Sequence, residues 1–106
     1  MNSRRKGHQY ERDIVNKLKK IFPKCKRRLE YQQLDVRGID LDNTGSFSIQ
    51  CKRGRRYAPV NTLEEVGGTG IKMLITRADK KRSVACMYLD DLLMILEDIG
   101  EAYQEP

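Results

Sequence analysis

Three polar residues in the middle of the chain have types and spacing that suit metal-assisted chemistry. Asp40 stands in one strand-like run, and Gln50 and Lys52 stand two positions apart in the next. Because residues two apart on a strand point to the same face, the amide and the amine share a face. A carboxylate, an amide and an amine therefore converge if the two runs pair in the right register.

The loop between the two runs sets that register. Its composition suits a hairpin whose three-residue loop ends at Gly45 in the left-handed conformation, which glycine tolerates best. Asp42 then pairs with Ser46, and Asp40 lies opposite Ser48. The polar face would hold Gly38, Asp40, Asp42, Ser48, Gln50 and Lys52. The apolar face would hold Ile39, Leu41, Phe47, Ile49 and Cys51. A two-residue loop would instead turn Asp40 to the apolar face, and Asp35, which precedes the hairpin, is interpreted as a turn residue.

A fourth candidate, Glu11, lies near the start of the chain. The spacing of apolar residues predicts an amphipathic helix over about 8–22, ended by Pro23, and Glu11 shares its apolar face with Val15 and Leu18. A carboxylate on that face costs free energy unless it is paired or binds a metal. Two possibilities stay open: a fourth member of the site, or a salt bridge to an Arg or Lys at the edge of the core.

These four side chains suit the hydrolysis of a phosphodiester. A hard cation such as Mg²⁺, for which Mn²⁺ can substitute, activates water and offsets charge on the phosphate when oxygen ligands hold it. We expect Glu11, Asp40 and Gln50 to be the metal ligands, with Asp40 the main one. Lys52 would orient or deprotonate the water or stabilise the transition state. The simpler alternative is a surface ion pair between Asp40 and Lys52.

The same residues resemble a known nuclease superfamily. Segments 38–40 (Gly-Ile-Asp) and 47–53 (Phe-Ser-Ile-Gln-Cys-Lys-Arg) resemble the catalytic core of PD-(D/E)xK nucleases, particularly the QxK variant of Mrr-type restriction endonucleases. Segment 7–14 (Gly-His-Gln-Tyr-Glu-Arg-Asp-Ile) is similar to the early helix of archaeal-type Holliday junction resolvases, which carries a catalytic glutamate. Two positions depart from the pattern: Ile39 stands where the superfamily name has Pro, and Gln50 replaces the usual acid, which removes a negative charge from the metal shell.

The resemblance implies a metal-dependent DNA endonuclease with Glu11, Asp40, Gln50 and Lys52 as its catalytic residues. We expect selectivity for branched DNA such as a four-way junction, because the chain has no separate module to read sequence. Two cuts resolve a junction, so the resemblance also implies a homodimer formed through the late strand or the terminal helix. The alternatives are an Mrr-like restriction or repair endonuclease and a DNA-binding protein without catalysis, in which Gln50 marks a lost active site.

The charge distribution also favours a polyanionic partner. The 106 residues carry a net charge of +6, and all 21 Lys and Arg residues precede Asp90. The basic runs beside the candidate site are predicted to contact DNA phosphates: Arg4, Arg5, Lys6, Arg53, Arg55, Arg56 and Tyr57. The basic runs 26–28 and 80–82 are less favoured, the second being a predicted hairpin tip, and His8 is interpreted as surface at the helix entry.

The remaining patterns predict the fold class. The length suits a single nuclease domain over 1–106. After the first helix come strand-like runs at 24–31, 34–42 and 46–53, a short helix at 62–66, and two further runs at 71–76 and 83–89. Asp90 would cap a final helix ended by Gly100, with its apolar side inward: Leu92, Leu93, Leu96 and Ile99. The order αβββαββα predicts an α/β (α+β) fold with a central mixed sheet flanked by helices and a restriction-endonuclease-like core.

Two absences in the sequence bear on location. No apolar run approaches the roughly 20 residues that cross a bilayer, and no apolar segment follows the N-terminal charges, so we expect a cytoplasmic protein without membrane contact. Cys25, Cys51 and Cys86 are odd in number and lack CxxC spacing, so we expect reduced, partly buried thiols.

Overall fold

A computed structural model describes residues 3–29 and 37–100. In chain order the elements are helix α1 (Ser3–Leu18), strands β1 (Lys26–Arg27), β2 (Leu41–Asp42) and β3 (Phe47–Gly54), a 3-10 helix (Val60–Glu65), strands β4 (Ile71–Ala78) and β5 (Val84–Cys86), and helix α2 (Leu89–Ile99). β3 pairs with β4 in parallel, and β4 pairs with β5 antiparallel. β1 and β2 form a separate antiparallel pair. The α+β class with a mixed sheet is confirmed. Asp35 lies outside the described residues, as do parts of the runs predicted at 24–31 and 34–42.

Both faces of the three-stranded sheet are covered at β3. On one face, Ile49 and Cys51 pack with Ile75 of β4 against α1. On the other, Leu74 packs with residues in and just after the 3-10 helix, Leu63 and Val66. Burial on both sides explains why four successive β3 residues, 48–51, are buried although two of them are polar.

Helix α1 is amphipathic as predicted, but it begins and ends earlier than the predicted span of 8–22. Its apolar side is buried at Tyr10, Ile14 and Val15. The chain turns after Leu18, whose carbonyl oxygen accepts hydrogen bonds from both Ile21 and Phe22. Phe22 precedes a proline, a position where the helical conformation is disfavoured, so the helix ends before the apolar pattern does.

The connection from β2 to β3 follows the prediction only in part: β2 pairs with β1 in a separate sheet, and Asp40 N–H donates to Ile49 O, so the predicted hairpin pairing of Asp40 with Ser48 was wrong. Gly45 has φ +63°, as the predicted loop requires, but Asn43 is also left-handed at φ 61°. Leu41 packs in the core with Ile49 and Cys51, as expected. The placement of Ile39 on that face was wrong. The side chains of Ile39 and Ser48 both lie against Gly68, because a Cβ on Gly68 would be 2.7 Å from Ile39 Cδ1 and 3.0 Å from Ser48 Oγ. Ile39 therefore sits beside Ser48. Strand alternation does not extend to Ile39, because β2 begins only at Leu41.

The terminal helix departs most from the prediction. The N-cap position is Tyr88 rather than Asp90, and Gly100 is right-handed rather than a left-handed cap. None of the α2 residues is buried. The four leucine and isoleucine side chains predicted to face inward are between 37% and 49% exposed: Leu92, Leu93, Leu96 and Ile99. The inward assignment was wrong, because an apolar stripe predicts that a helix needs a partner surface but does not identify that surface.

Other local expectations were met. The run 80–82 occupies the turn between β4 and β5, where Lys80 has φ 58°. Cys25 and Cys51 are buried free thiols, and Cys86 is a partly buried one. Within residues 3–29 and 37–100, neither helix is long and apolar enough to cross a membrane.

Candidate functional site

Asp40 is fixed at the place where β2 approaches β3. Its backbone N–H donates to Ile49 O at 2.8 Å, and its Oδ2 accepts the N–H of Cys51 at 2.7 Å. The backbone and the side chain of Asp40 thus bind the two residues that flank Gln50, Ile49 and Cys51. We call this point of contact the β2–β3 edge.

Glu11 reaches the neighbourhood of Asp40 from helix α1. Its side chain is 14% exposed, and its Oε2 accepts a hydrogen bond from Arg27 Nε at 2.9 Å. Burial raises the pKa of Glu11, the hydrogen bond from Arg27 lowers it, and the negative charge of Asp40 raises it again. Of the two possibilities left open by the sequence, the salt bridge at the edge of the core is present; Glu11 also lies within electrostatic reach of Asp40, and its membership of a catalytic site stays a prediction.

Gln50 contributes a buried polar atom to the same region. The residue is 7% exposed, and no described residue donates a hydrogen bond to its Oε1. A buried acceptor without a donor costs about 1–3 kcal/mol, so such an atom in a native protein calls for an explanation. An oxygen-binding cation would supply one.

Lys52 lies farther out along the same face of β3. Its backbone is paired in register with Thr76, and its side chain is exposed. By strand alternation, Lys52 and Gln50 project from the face opposite to Cys51, which α1 covers. Glu11 and Asp40 therefore lie within electrostatic reach of each other, while Gln50 and Lys52 project from the face of β3 opposite α1.

Among the described residues, no ion pair links Asp40 to Lys52, which was the simpler alternative. The ion pairs within residues 3–29 and 37–100 join other partners. Asp42, predicted to share the polar face with Asp40, instead accepts a hydrogen bond from Arg28 at 3.3 Å.

The residues around the β2–β3 edge include oxygen atoms of the kind that a hard divalent cation binds. Among the described residues, no group of three or more His, Cys, Asp or Glu side chains is placed to hold a metal. Glu11 provides a carboxylate from the α1 side, Asp40 provides one at the strand edge, and Gln50 provides an amide oxygen from the opposite face of β3; Mg²⁺ commonly uses one or two carboxylates together with waters and substrate phosphate oxygens. The Cys51 thiol is not part of this set. Burial first, and then the charges of Asp40 and Glu11, raise the pKa of Cys51 and keep it protonated.

Two of the predicted DNA-contacting residues meet at one carboxylate. Lys6 Nζ lies 2.9 Å and Arg53 Nη1 lies 2.8 Å from Asp79 Oδ1. These hydrogen bonds lower the pKa of Asp79. The contact joins the first turns of α1 to the end of β3 and to the β4–β5 turn.

The basic run 80–82 lies in the same region as Asp79. Tyr57 donates its hydroxyl proton to Arg82 O at 2.7 Å, and Asp79 N–H donates to Arg55 O at 3.3 Å. Arg55 and Arg56 are exposed beside it. The run 80–82, less favoured from the sequence, thus adjoins the run 53–57.

Sequence reasoning missed two residues that organise this region, Arg27 and Asp79. Arg27 was seen only as part of a basic run, and Asp79 was not singled out. Arg27 lies 16 positions from Glu11, and Asp79 lies 73 positions from Lys6. No local pattern links residues so far apart, so only the fold reveals these pairs.

Comparisons with protein-family models, with curated proteins and with solved structures gave no match. The fold and the site define only a class of protein. It is a small α+β protein with two carboxylates, Glu11 and Asp40, a buried amide, Gln50, and surrounding basic groups near one edge of a mixed sheet.

Proposed function

We propose that this protein is a Mg²⁺-dependent DNA endonuclease whose active site is the β2–β3 edge. The observation that carries the proposal is the buried Oε1 of Gln50, which no described residue satisfies. Gln50 lies between Ile49 and Cys51, the two β3 residues whose backbones bind Asp40. A buried acceptor without a donor is costly for folding, and a cation held at the strand edge between this amide and the carboxylates of Glu11 and Asp40 would satisfy it.

Each side chain has a distinct role in this proposal. Glu11, Asp40 and Gln50 would hold Mg²⁺, or Mn²⁺ in its place, and the bound cation supplies a more acidic water and offsets charge on the phosphate. Asp40 is prepared for this role because Cys51 N–H fixes its carboxylate. Arg27 orients Glu11 through their 2.9 Å hydrogen bond.

Lys52 would act on the phosphate and the attacking water. Its exposed amine can approach a phosphodiester laid across the β2–β3 edge. There it can stabilise the charge of the transition state or help to move a proton from water.

The basic surface supports DNA as the substrate. Arg53, Arg55 and Arg56 leave the catalytic strand directly, and residues 80–82 extend the same positive surface. Phosphate contacts of this kind position DNA without reading its sequence. The proposal includes branched DNA, such as a four-way junction, as the preferred substrate and the cytoplasm as the location; both rest on sequence reasoning.

The proposal also includes a homodimer formed through α2. Its apolar side chains are exposed, with Leu89 at 65%, Leu93 at 49% and Met94 at 53%. A helix of this kind is normally covered, and a twofold pairing of α2 with itself would cover it. Sedimentation should show a dimer that Leu93→Glu dissociates and Asp98→Ala preserves. A monomeric parent protein at high concentration would remove this part of the proposal.

One observation favours a second candidate function, DNA binding without cleavage. Arg27 already provides a positive partner for Glu11, and Gln50 carries no charge. The carboxylate pair is therefore partly compensated without a cation. In this case the basic surface would bind DNA, and the β2–β3 edge would be structural.

A cleavage panel separates these functions. Four-way, flap, single-stranded and linear duplex DNA are incubated with the protein and Mg²⁺ or Mn²⁺, and with a chelator as a control. We expect metal-dependent cuts, most abundant in the four-way junction. Binding to every substrate without any cut favours the second candidate.

A further inference from the structure

A groove on one flank of helix α1 is lined by basic side chains. It encloses about 300 Å³, and its lining residues are Arg4, Arg5, His8 and Arg12. Within the part of the chain that the structure describes, no acidic residue lines it. We call it the α1 groove. Such a concentration of positive charge attracts anions and repels other cations.

The α1 groove is separate from the basic surface at Asp79. Arg4, His8 and Arg12 lie on successive turns along one side of the helix. Lys6 lies roughly 200° around the helix from Arg4, and it contacts Asp79 at 2.9 Å. The basic run 4–6 therefore divides between two surfaces on opposite flanks of α1.

Helix stability does not explain the charges in this groove. The first turn of α1 contains no acidic residue, and cations near a helix N-terminus oppose the helix dipole. Arg4, His8 and Arg12 are also four apart, where like charges repel when His8 is protonated. The arrangement is unfavourable in the isolated helix, and an anion in the groove would offset both effects.

The groove adjoins the candidate active site. His8, which lines the groove, and Glu11 are three positions apart on α1, so their side chains are neighbours on the helix surface. An anion in the groove would therefore lie close to the β2–β3 edge. A DNA strand crossing that edge presents phosphates at regular intervals and can occupy both places at once.

We propose that the α1 groove is a second phosphate-binding site, which holds a backbone phosphate of the DNA strand beside the one that is cut. The identity of the anion as DNA rests on the proposed function. The groove positions the strand and takes no part in the chemical step. It also gives His8 and Arg12 a role that their places in the sequence do not indicate.

The single histidine provides a direct probe. His8 is the only histidine of the chain, so its imidazole protons give unambiguous NMR signals. A short DNA duplex is added to the full chain without divalent metal, and these signals are followed. We expect a saturable shift that is reversed by added salt. Unmoved signals at a DNA concentration that saturates binding would overturn the proposal.

Charge-removing variants test the same groove by affinity. Arg5→Ala and Arg12→Ala should each weaken DNA binding several-fold and reduce the salt slope of binding by about 0.9 per lost contact. Lys17→Ala is the matched control, since it removes one exposed charge from α1 outside the groove. It should have a smaller effect. Thermal melting should be unchanged or higher in Arg5→Ala, because a cation in the first turn is removed.

These measurements distinguish failure of the groove proposal from failure of the nuclease proposal. If the parent protein binds DNA and both groove variants bind as tightly as Lys17→Ala, the groove proposal is wrong and the nuclease proposal is unaffected. If the groove variants weaken binding but the parent never cleaves DNA, the groove is supported and the nuclease proposal falls. If the parent binds no DNA, both fall.

Discussion

Strand β3 and helix α2 show opposite mismatches between side-chain type and environment. β3 buries polar side chains, with Ser48 6% and Gln50 7% exposed. α2 exposes apolar ones, and none of its residues is buried. Both arrangements cost free energy in an isolated chain. The two regions thus leave different groups uncompensated: an amide oxygen of Gln50 without a donor in β3, and uncovered apolar side chains in α2.

The largest expected effect contrasts a leucine from each region. Leu74→Ala removes a fully buried side chain at the centre of the sheet, so we expect a loss of about 3 kcal/mol in the free energy of unfolding. Leu93→Ala removes a half-exposed side chain, and we expect less than about 0.5 kcal/mol in dilute solution. Urea unfolding measures both. Equal losses would show that α2 packs on the body of the protein, which would contradict the exposure of its apolar side chains.

The second prediction concerns the unsatisfied amide. Gln50→Met keeps the approximate shape but removes the polar atoms, so we expect a gain of about 1 kcal/mol in unfolding free energy without metal. The same variant should lose the rise in melting temperature that Mg²⁺ gives the parent protein through linkage. A destabilised Gln50→Met variant that responds to Mg²⁺ as the parent does would show that the amide is structural.

Glu11→Gln should have a smaller effect on stability than the loss of a buried ion pair. Losing the charge-assisted hydrogen bond from Arg27 costs roughly 1.5–3 kcal/mol, but the repulsion between Glu11 and Asp40 is relieved. The raised pKa of Glu11 means that burial and the charge of Asp40 together outweigh this hydrogen bond, so we expect the variant to be as stable as the parent protein, or slightly more stable, near neutral pH. Cleavage should fall sharply, because a metal ligand is lost. Full cleavage by this variant would remove Glu11 from the site.

The same residue makes the stability difference depend on pH. Burial raises the pKa of Glu11, so the folded protein holds this proton more tightly than the unfolded chain does. The resulting stabilisation is complete below the ordinary pKa, 4.5, and is lost as pH rises through the higher folded value. Relative to Glu11→Gln, the parent protein should therefore lose stability as pH rises from 4. Parallel melting curves at pH 4 to 8 would contradict this.

Asp79→Asn should give the smallest effect. The carboxylate binds both Lys6 and Arg53, so neutralising it frees two cations for phosphate, and we expect DNA affinity to rise a few-fold. Its lowered pKa means that the stability conferred by Asp79 is present above the ordinary pKa, 3.8, and is lost as pH falls through the lower folded value. The variant should be slightly less stable at pH 7 and equally stable at low pH. Unchanged or weaker DNA binding would show that Asp79 positions the two cations instead of competing with DNA.

The sequence predicted the parts of the molecule that depend on local pattern. The amphipathic character of α1, the strands β3 and β4 and the left-handed Gly45 follow from periodicity and turn chemistry. Ile39 was placed on the wrong face because a two-residue strand is too short to extend alternation. The environment of α2 and the contacts of Arg27 and Asp79 could not be predicted, because they depend on which distant elements meet.

We propose that Glu11, Asp40, Gln50 and Lys52 form a metal-dependent nuclease site. The most direct test is cleavage of a labelled four-way junction by the parent protein, Asp40→Asn and Lys52→Ala, with Mg²⁺ and with chelator, alongside binding to the same DNA. We predict cuts by the parent only with metal, loss of cleavage of about a thousandfold or more in either variant, and nearly unchanged binding. Cleavage by Asp40→Asn at the parental rate, or by the parent in chelator, would contradict the claim.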